Sequence, residues 1–250
     1  MNKYKLITLL FLAAIAIPKE SSAKFPGILA RFQLGYSFLA NSAEGQGHTV
    51  IKSPSFNQDT TIITKLNTSA SWGFTAGTYF RLTHMGESGI LALGVDYMYN
   101  MMTWKIDNSE PASFDGATVQ MALPIGLDLK FGADAMMSRD HRFCATVGAG
   151  VYPSYSITSI TDAPITIDPA FSVAPYIKAE VGVYAGICMK VRALYTIGDL
   201  TYMDYKESSN VNGYESSTSS KLVGKSNFAV SLLIMPFSFK WKTEDWWNTY

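Results

Sequence analysis

The fourteen residues from Thr118 to Phe131, TVQMALPIGLDLKF, set a large apolar side chain at every odd position and a polar or small residue at every even one. A period of two belongs to an extended strand whose faces meet different surroundings. Val119, Met121, Leu123, Ile125, Leu127, Leu129 and Phe131 share one face, and Thr118, Gln120, Ala122, Pro124, Gly126, Asp128 and Lys130 share the other. At about 3.3 Å per residue the stretch outruns an ordinary globular strand and suits a tilted strand crossing a bilayer with some overhang.

The same alternation recurs along the chain. It predicts strands over 28–38, 69–84, 91–101, 118–131, 142–157, 171–184, 189–198 and 227–241, the last kinked near Pro236. The connections alternate in length. Those over 41–68, 106–117, 158–170 and 199–226 are long and rich in Ser, Asn, Gly, Asp and Thr, whereas those between them are short. Bacterial outer-membrane barrels have short periplasmic turns, long external loops and an even number of antiparallel strands from eight upward. The expectation is therefore all-β: an eight-stranded antiparallel up-and-down transmembrane barrel with both ends in the periplasm.

Composition agrees with an apolar surface that does not face water. Charged residues are 16% of the chain, net charge is zero and mean hydropathy is +0.09, where a soluble domain carries charge on about a quarter of its residues. No basic excess points to nucleic acid. Lys3 and Lys5 precede an apolar run from Leu6 to Ile17, followed by Ser21, Ser22 and Ala23, the pattern of a secretory signal. Residues 1–23 are thus expected to be a signal peptide and 24–250 an outer-membrane barrel domain. The run is too short to span a bilayer, and no later segment offers 18 consecutive apolar residues, so crossing would be by strands.

A soluble lipocalin-like barrel also has eight alternating strands after a signal peptide. The polar face separates the two: it carries Gly35, Gly73, Gly77, Gly94, Gly126, Gly148, Gly150 and Gly182 where a wetted face would carry long charged side chains. Small residues suit a crowded interior. Tyr36, Phe38, Trp72, Tyr97, Tyr99, Trp104 and Tyr155 fall towards strand ends, where an aromatic girdle belongs.

Ten charged residues share the inward face and form the candidate site, a barrel-interior network of Arg31, Arg81, Asp96, Asp128, Lys130, Arg142, Lys178, Glu180, Lys190 and Arg192. Buried charges must be paired. With the turn at Gly186 to Cys188, Tyr184 would face Lys190 and Glu180 would lie diagonal to Arg192. The network reads as a structural filling of a narrow bore, or alternatively as a site for an anionic group. The upper half, lined by Ser37, Ser71, Ser154, Ser156 and Ser172, leaves room for a shallow outward pocket.

Catalytic and metal constellations are nearly absent. His48, His84 and His141 fall in separate loops and turns and cannot meet as a metal site. A lipid-modifying barrel enzyme would need a histidine, a hydroxyl nucleophile and an acid together, and His48 with its neighbouring serines is the sole candidate. The sequence points to no cofactor, no metal and no enzyme. Cys144 and Cys188 are separated by one intervening strand, about 9 to 10 Å of backbone, beyond disulfide reach, so both are expected as free thiols.

Met121-Ala122-Leu123-Pro124-Ile125, followed by Leu129-Lys130-Phe131, resembles the fourth strand of the Bacteroidetes outer-membrane barrel family often called PorT-like. Gly148-Ala149-Gly150-Val151-Tyr152 is similar to that family's glycine-aromatic fifth strand. The likeness implies an outer-membrane location and an eight-stranded barrel, and no shared catalytic residues. The functional expectation is a non-enzymatic, monomeric barrel in contact with outer-membrane lipid. Its structural or surface-interaction role would run through its external loops to external ligands or partners. Passage or binding of a small hydrophobic or anionic molecule is the alternative.

Overall fold

The computed structural model describes residues 26–53, 56–106, 116–160, 169–211 and 214–241. The signal segment expected at 1–23 and most of the connections at 106–117 and 158–170 lie outside these residues. After a short helix α1 (Pro26–Ala30), the strands are β1 (Gln33–Ser53), β2 (Phe56–Met85), β3 (Gly89–Ile106), β4 (Gly116–Ala122) and β5 (Ile125–Gly132). Helix α2 (Ala133–Met136) then precedes β6 (Phe143–Ile160), β7 (Pro169–Tyr184), β8 (Cys188–Thr196), β9 (Leu200–Val211) and β10 (Tyr214–Met235).

Every pairing is antiparallel, and β1 pairs with β10 to close the sheet on itself. Eight staves form the ring: β1, β2, β3, the collinear β4 and β5, β6, β7, β8 and β10. The expected eight-stranded barrel is what the chain forms. Its lower end is the end of the short turns, and its upper end that of the long connections.

The opening stretch behaves as its pattern requires. From Thr118 to Lys130 the even residues are buried in the bore and the odd ones face outward, exposed or half-exposed. Pro124 has no amide hydrogen and interrupts the ladder, so the expected single strand is two. The gap is bridged from both sides, by Leu123 N to Pro153 O and Asp96 N to Pro124 O, each 2.9 Å.

The outer face is apolar all round. Phe143 is 73% exposed, Phe171 68%, Tyr36 65% and Val181 63%, with Leu127, Val147, Ile177, Leu232 and many others beside them. In water such a surface would far exceed the apolar patches a soluble monomer tolerates, and it is the inverse of a lipocalin-like barrel. A cross-strand row, Tyr36, Phe74, Tyr99, Met121, Tyr155 and Phe171, runs through five consecutive pairings towards the upper end. That is the position of an aromatic girdle.

Four sequence expectations are corrected. Residues 28–30 belong to helix α1, so the first stave starts at Gln33. The last strand stops at Met235; Ser238–Lys240 form a 3-10 turn that carries Trp241 into the lower mouth, where its indole donates to Ala30 O at 3.1 Å and stacks on Tyr184 at 5.7 Å. The β7–β8 turn spans Ala185 to Ile187, which puts Tyr184 opposite Cys188 and Glu180 directly opposite Arg192.

The fourth correction is the largest. The polar segments 41–68 and 199–226, expected as loops, are strand almost throughout. Above the barrel, β2, β1, β10 and β9 continue as a four-stranded antiparallel sheet up to the pairs Lys52 with Glu215 and Ser53 with Phe56. From the register shift at Ser42 to Ser53 this is about 35 Å of extended chain. β-branched runs within these segments, Thr49-Val50-Ile51 and Thr60-Thr61-Ile62-Ile63-Thr64, favour strand, while the polar residues around them give no burial signal.

Candidate functional site

Three layers fill the bore. The lower layer is an apolar floor of Tyr79, Ile90, Met136, Met137, Cys144, Cys188, Met235 and Trp241, with helix α2 folded inward beneath β5. The middle layer is ionic. The upper layer is made by Met98, Met102, Trp104, Tyr152, Tyr176, Leu194, Leu200, Tyr202 and Leu222; Trp104, expected in the outer girdle, is 2% exposed and turned into the bore instead.

Seven of the ten charged residues named from sequence meet in the middle layer: Asp96, Asp128, Lys130, Lys178, Glu180, Lys190 and Arg192, all buried. Asp134 of α2 joins them, making four carboxylates and four cations. The network is continuous. Lys178 bridges Asp128 at 3.0 Å and Asp96 at 3.2 Å; Arg192 bridges Asp96 at 3.2 Å and Glu180 at 2.7 Å. Lys190 joins Glu180 at 2.9 Å to Asp134 at 3.2 Å, and Lys130 reaches Asp134 at 3.0 Å and Glu180 at 3.6 Å. Gln33 ties β1 in, donating to Asp96 at 3.0 Å and accepting from Lys190 at 2.6 Å.

Glycines make room for this cluster. A Cβ on Gly94 would stand 2.5 Å from Asp128 Oδ2, one on Gly148 2.3 Å from Asp128 Oδ1, and one on Gly77 2.0 Å from Asp96 Oδ1. The glycine-rich inner face and the charges on it are thus linked, since the carboxylates of Asp96 and Asp128 and the Lys178 chain lie over positions with no side chain. Asp134 was missed from sequence because it sits in the short helix α2 between two staves, outside any period-two segment. Its only signal was its place four residues after Lys130.

Three of the ten stand elsewhere. Arg142 is exposed at the lower rim and is no part of the network. Arg31 lies below the network with its guanidinium 5.8 Å from the Tyr79 ring, and Arg81 is hydrogen-bonded to His84 at the lower rim. All three lie at the ends of their staves, where the strand pattern no longer fixes an inward direction.

The upper half is closed as well, contrary to the expected shallow pocket. β9 carries Leu200, Tyr202 and Met203 over the mouth, and Thr158 Oγ1 donates to Tyr202 O at 3.0 Å. Trp104 Nε1 donates to Thr118 at 2.8 Å, and Asn100 donates to Gln120 at 3.1 Å. The cavity left among Leu39, Asn41, Gln120, Tyr152, Tyr202 and Asn227 is about 10 Å³, room for one water molecule. Reconstituted in planar bilayers, the protein is therefore expected to show no steady conductance; large, stable steps from a monomer would contradict a filled bore.

On the sheet above the barrel, a shallow hollow of about 270 Å³ is bordered by Gln46, His48, Thr61, Asp204, Lys206, Ser219 and Lys221, drawn from all four strands. The pairs His48 with Thr61, His48 with Ser219, and Ser219 with Lys206 set four of them in one cross-strand row. His48 Nε2 is 2.8 Å from Asp59 Oδ1, with both side chains solvent-exposed. Among the described residues, no group of three or more His, Cys, Asp or Glu is placed to hold a metal ion.

No protein-family model matches the chain, and no curated protein matches its sequence. Solved structures give remote likenesses. Ail, the attachment invasion locus protein of Yersinia pestis, in complex with the heparin analogue sucrose octasulfate, is 8% identical over 76% of this chain and 98% of that chain, with a TM-score of 0.29. Neisserial surface protein A is 15% identical over 79% and 97%, TM-score 0.26. The transport unit of the autotransporter AIDA-I from Escherichia coli is 8% identical over 88% and 93%, TM-score 0.34.

Proposed function

We propose that this chain is a non-enzymatic outer-membrane protein of the PorT-like type, exported by the signal at 1–23, that acts through the four-stranded sheet above its barrel. The sheet is the observation that carries the reading. A barrel with no passage needs only short connections to close its staves, yet here about 35 Å of paired strand stands clear of the apolar belt. Its edges and outward face bear Gln46, His48, Lys206, Ser219 and Lys221, groups suited to polar surface ligands. The upper end is then external and the lower end periplasmic.

The barrel supplies a rigid base. The bore is filled, the hydrogen-bond ring is closed, and the sheet continues directly from the barrel strands β1, β2 and β10. The test is a trimmed variant in which 45–64 and 206–219 are each replaced by a short turn, which leaves Ala43, Leu200, Tyr202, Met203 and Leu222 in the mouth of the bore. Cells carrying it are expected to keep wild-type envelope integrity and to lose the surface-adherence difference between wild-type and deletion strains. Full restoration of adherence by the trimmed barrel would refute a role for the sheet.

A further inference from the structure

The floor of the bore sets the two cysteines side by side. Cys144 lies on β6 and Cys188 opens β8, with β7 between them, yet their sulfurs are 3.9 Å apart. They meet over Gly182, where a Cβ would stand 2.8 Å from Cys144 Sγ and 2.6 Å from Lys190 Cγ. Both thiols are free and buried. The sequence expectation of free thiols rested on distance alone, but inward-pointing side chains on a tightly curved wall close most of that gap.

The spacing is wrong for a disulfide and right for a shared ion. A disulfide requires sulfurs about 2.05 Å apart on backbones within about 7 Å, whereas one intervening strand separates these backbones by about 9 to 10 Å. Two sulfurs 3.9 Å apart subtend about 116° at an ion about 2.3 Å from each, between tetrahedral and trigonal geometry. A third donor stands alongside. Met235 is directly opposite Cys188 in the β8–β10 register and is fully buried. Ser238 fixes that corner: Cys188 N donates to its Oγ at 2.7 Å, and the Oγ donates to Met235 O at 2.7 Å. Met136 and Met137 complete the sulfur-rich wall of the same cluster. Sulfur donors exclude calcium and magnesium, and a set of two thiolates and one thioether, with no further thiolate, imidazole or carboxylate to complete a zinc tetrahedron, favours soft ions of the copper(I) class.

We propose that Cys144 and Cys188, with Met235 as third donor, bind one soft monovalent metal ion of the copper(I) class. Binding replaces the two thiol protons, which leave to solvent, so the ion and two thiolates carry one net negative charge on the floor of the bore, alongside the Lys190 side-chain stem. The ion keeps its oxidation state, and no oxidant or reductant takes part. Because the thiols are buried, the ion enters before the lower mouth closes over them, during folding.

Silver(I) is a redox-inert probe of such a site. The full barrel chain is folded into detergent micelles with one equivalent of silver(I) and its mass measured under native conditions, folding being scored separately by heat-modifiable migration. One silver ion per folded chain, with two protons lost, is expected. Cys144→Ser and Cys188→Ser should each abolish retention, and Met235→Leu should weaken it against a competing thiol chelator by about tenfold or more. If a serine variant fails to fold, X-ray absorption of copper(I)-loaded wild-type protein replaces it, with sulfur as the sole neighbour expected. Folded wild-type protein without silver, silver retained by the double serine variant, nitrogen or oxygen donors around copper, or a metal-free mass lower by two hydrogens would each overturn the proposal. The last of these would show a disulfide instead.

Discussion

Replacing Glu180 with alanine is expected to destabilise the folded barrel by about 3–5 kcal/mol, the cost of breaking a buried ion pair and leaving its partner uncompensated. Glu180 touches Arg192 at 2.7 Å, Lys190 at 2.9 Å and Lys130 at 3.6 Å, so its loss turns a cluster of four cations and four carboxylates into four against three. Apolar layers lie above and below the cluster, so bulk solvent does not screen the excess charge. The measurement is urea unfolding in detergent or lipid, read by the shift between folded and unfolded gel mobility. A second substitution makes the test specific to charge balance. Glu180→Leu with Arg192→Met restores three against three, leaves Asp96 paired with Lys178, and should recover most of the loss, since apolar replacements of buried pairs are close to neutral. Equal destabilisation by the single and double variants would show that packing, not charge balance, sets the effect.

Gly150→Val is expected to prevent folding outright. A Cβ at Gly150 would lie 2.2 Å from Ile125 O and 2.4 Å from Gly126 Cα, so the obstacle is backbone of the neighbouring stave, which no rotamer change can relieve. Overpacking against movable side chains costs about 1–3 kcal/mol; against a stave locked in a closed ring it should exceed that range. Gly47→Ala is the matched control. It sits on the external sheet with nothing within 4 Å of its added Cβ, and should change stability by no more than about 0.5 kcal/mol. A folded, heat-modifiable Gly150→Val protein would contradict the close approach of β5 and β6.

These two positions show what the sequence could and could not say. The alternation of Thr118 to Phe131 gave stave, facing and apolar exterior together, because burial on one side and lipid on the other leave a period of two that only one register satisfies. Inward glycines beside inward charges were legible as crowding. What alternation cannot carry is the connection between staves. The β7–β8 turn was misplaced by one residue, which moved Glu180 from diagonal to directly opposite Arg192. Asp134 lay in the short helix α2 between staves and went unseen, while Arg142, just before β6, was wrongly turned inward. The external sheet was hidden for a different reason. Its segments are rich in polar residues and lack a sustained apolar period of two, so little distinguishes them from loop except β-branched runs such as Thr49-Val50-Ile51. The filling of the upper mouth followed from that omission, since Leu200, Tyr202 and Met203 belong to β9.

Membrane fractionation combined with gel migration before and after boiling tests the inside-out barrel most directly. The protein is expected in the outer-membrane fraction, resistant to extraction by salt or alkali, and migrating as a compact species that shifts to its full 27.5 kDa mobility, less any cleaved signal, only after heating. A soluble periplasmic protein whose migration is the same before and after boiling would contradict it.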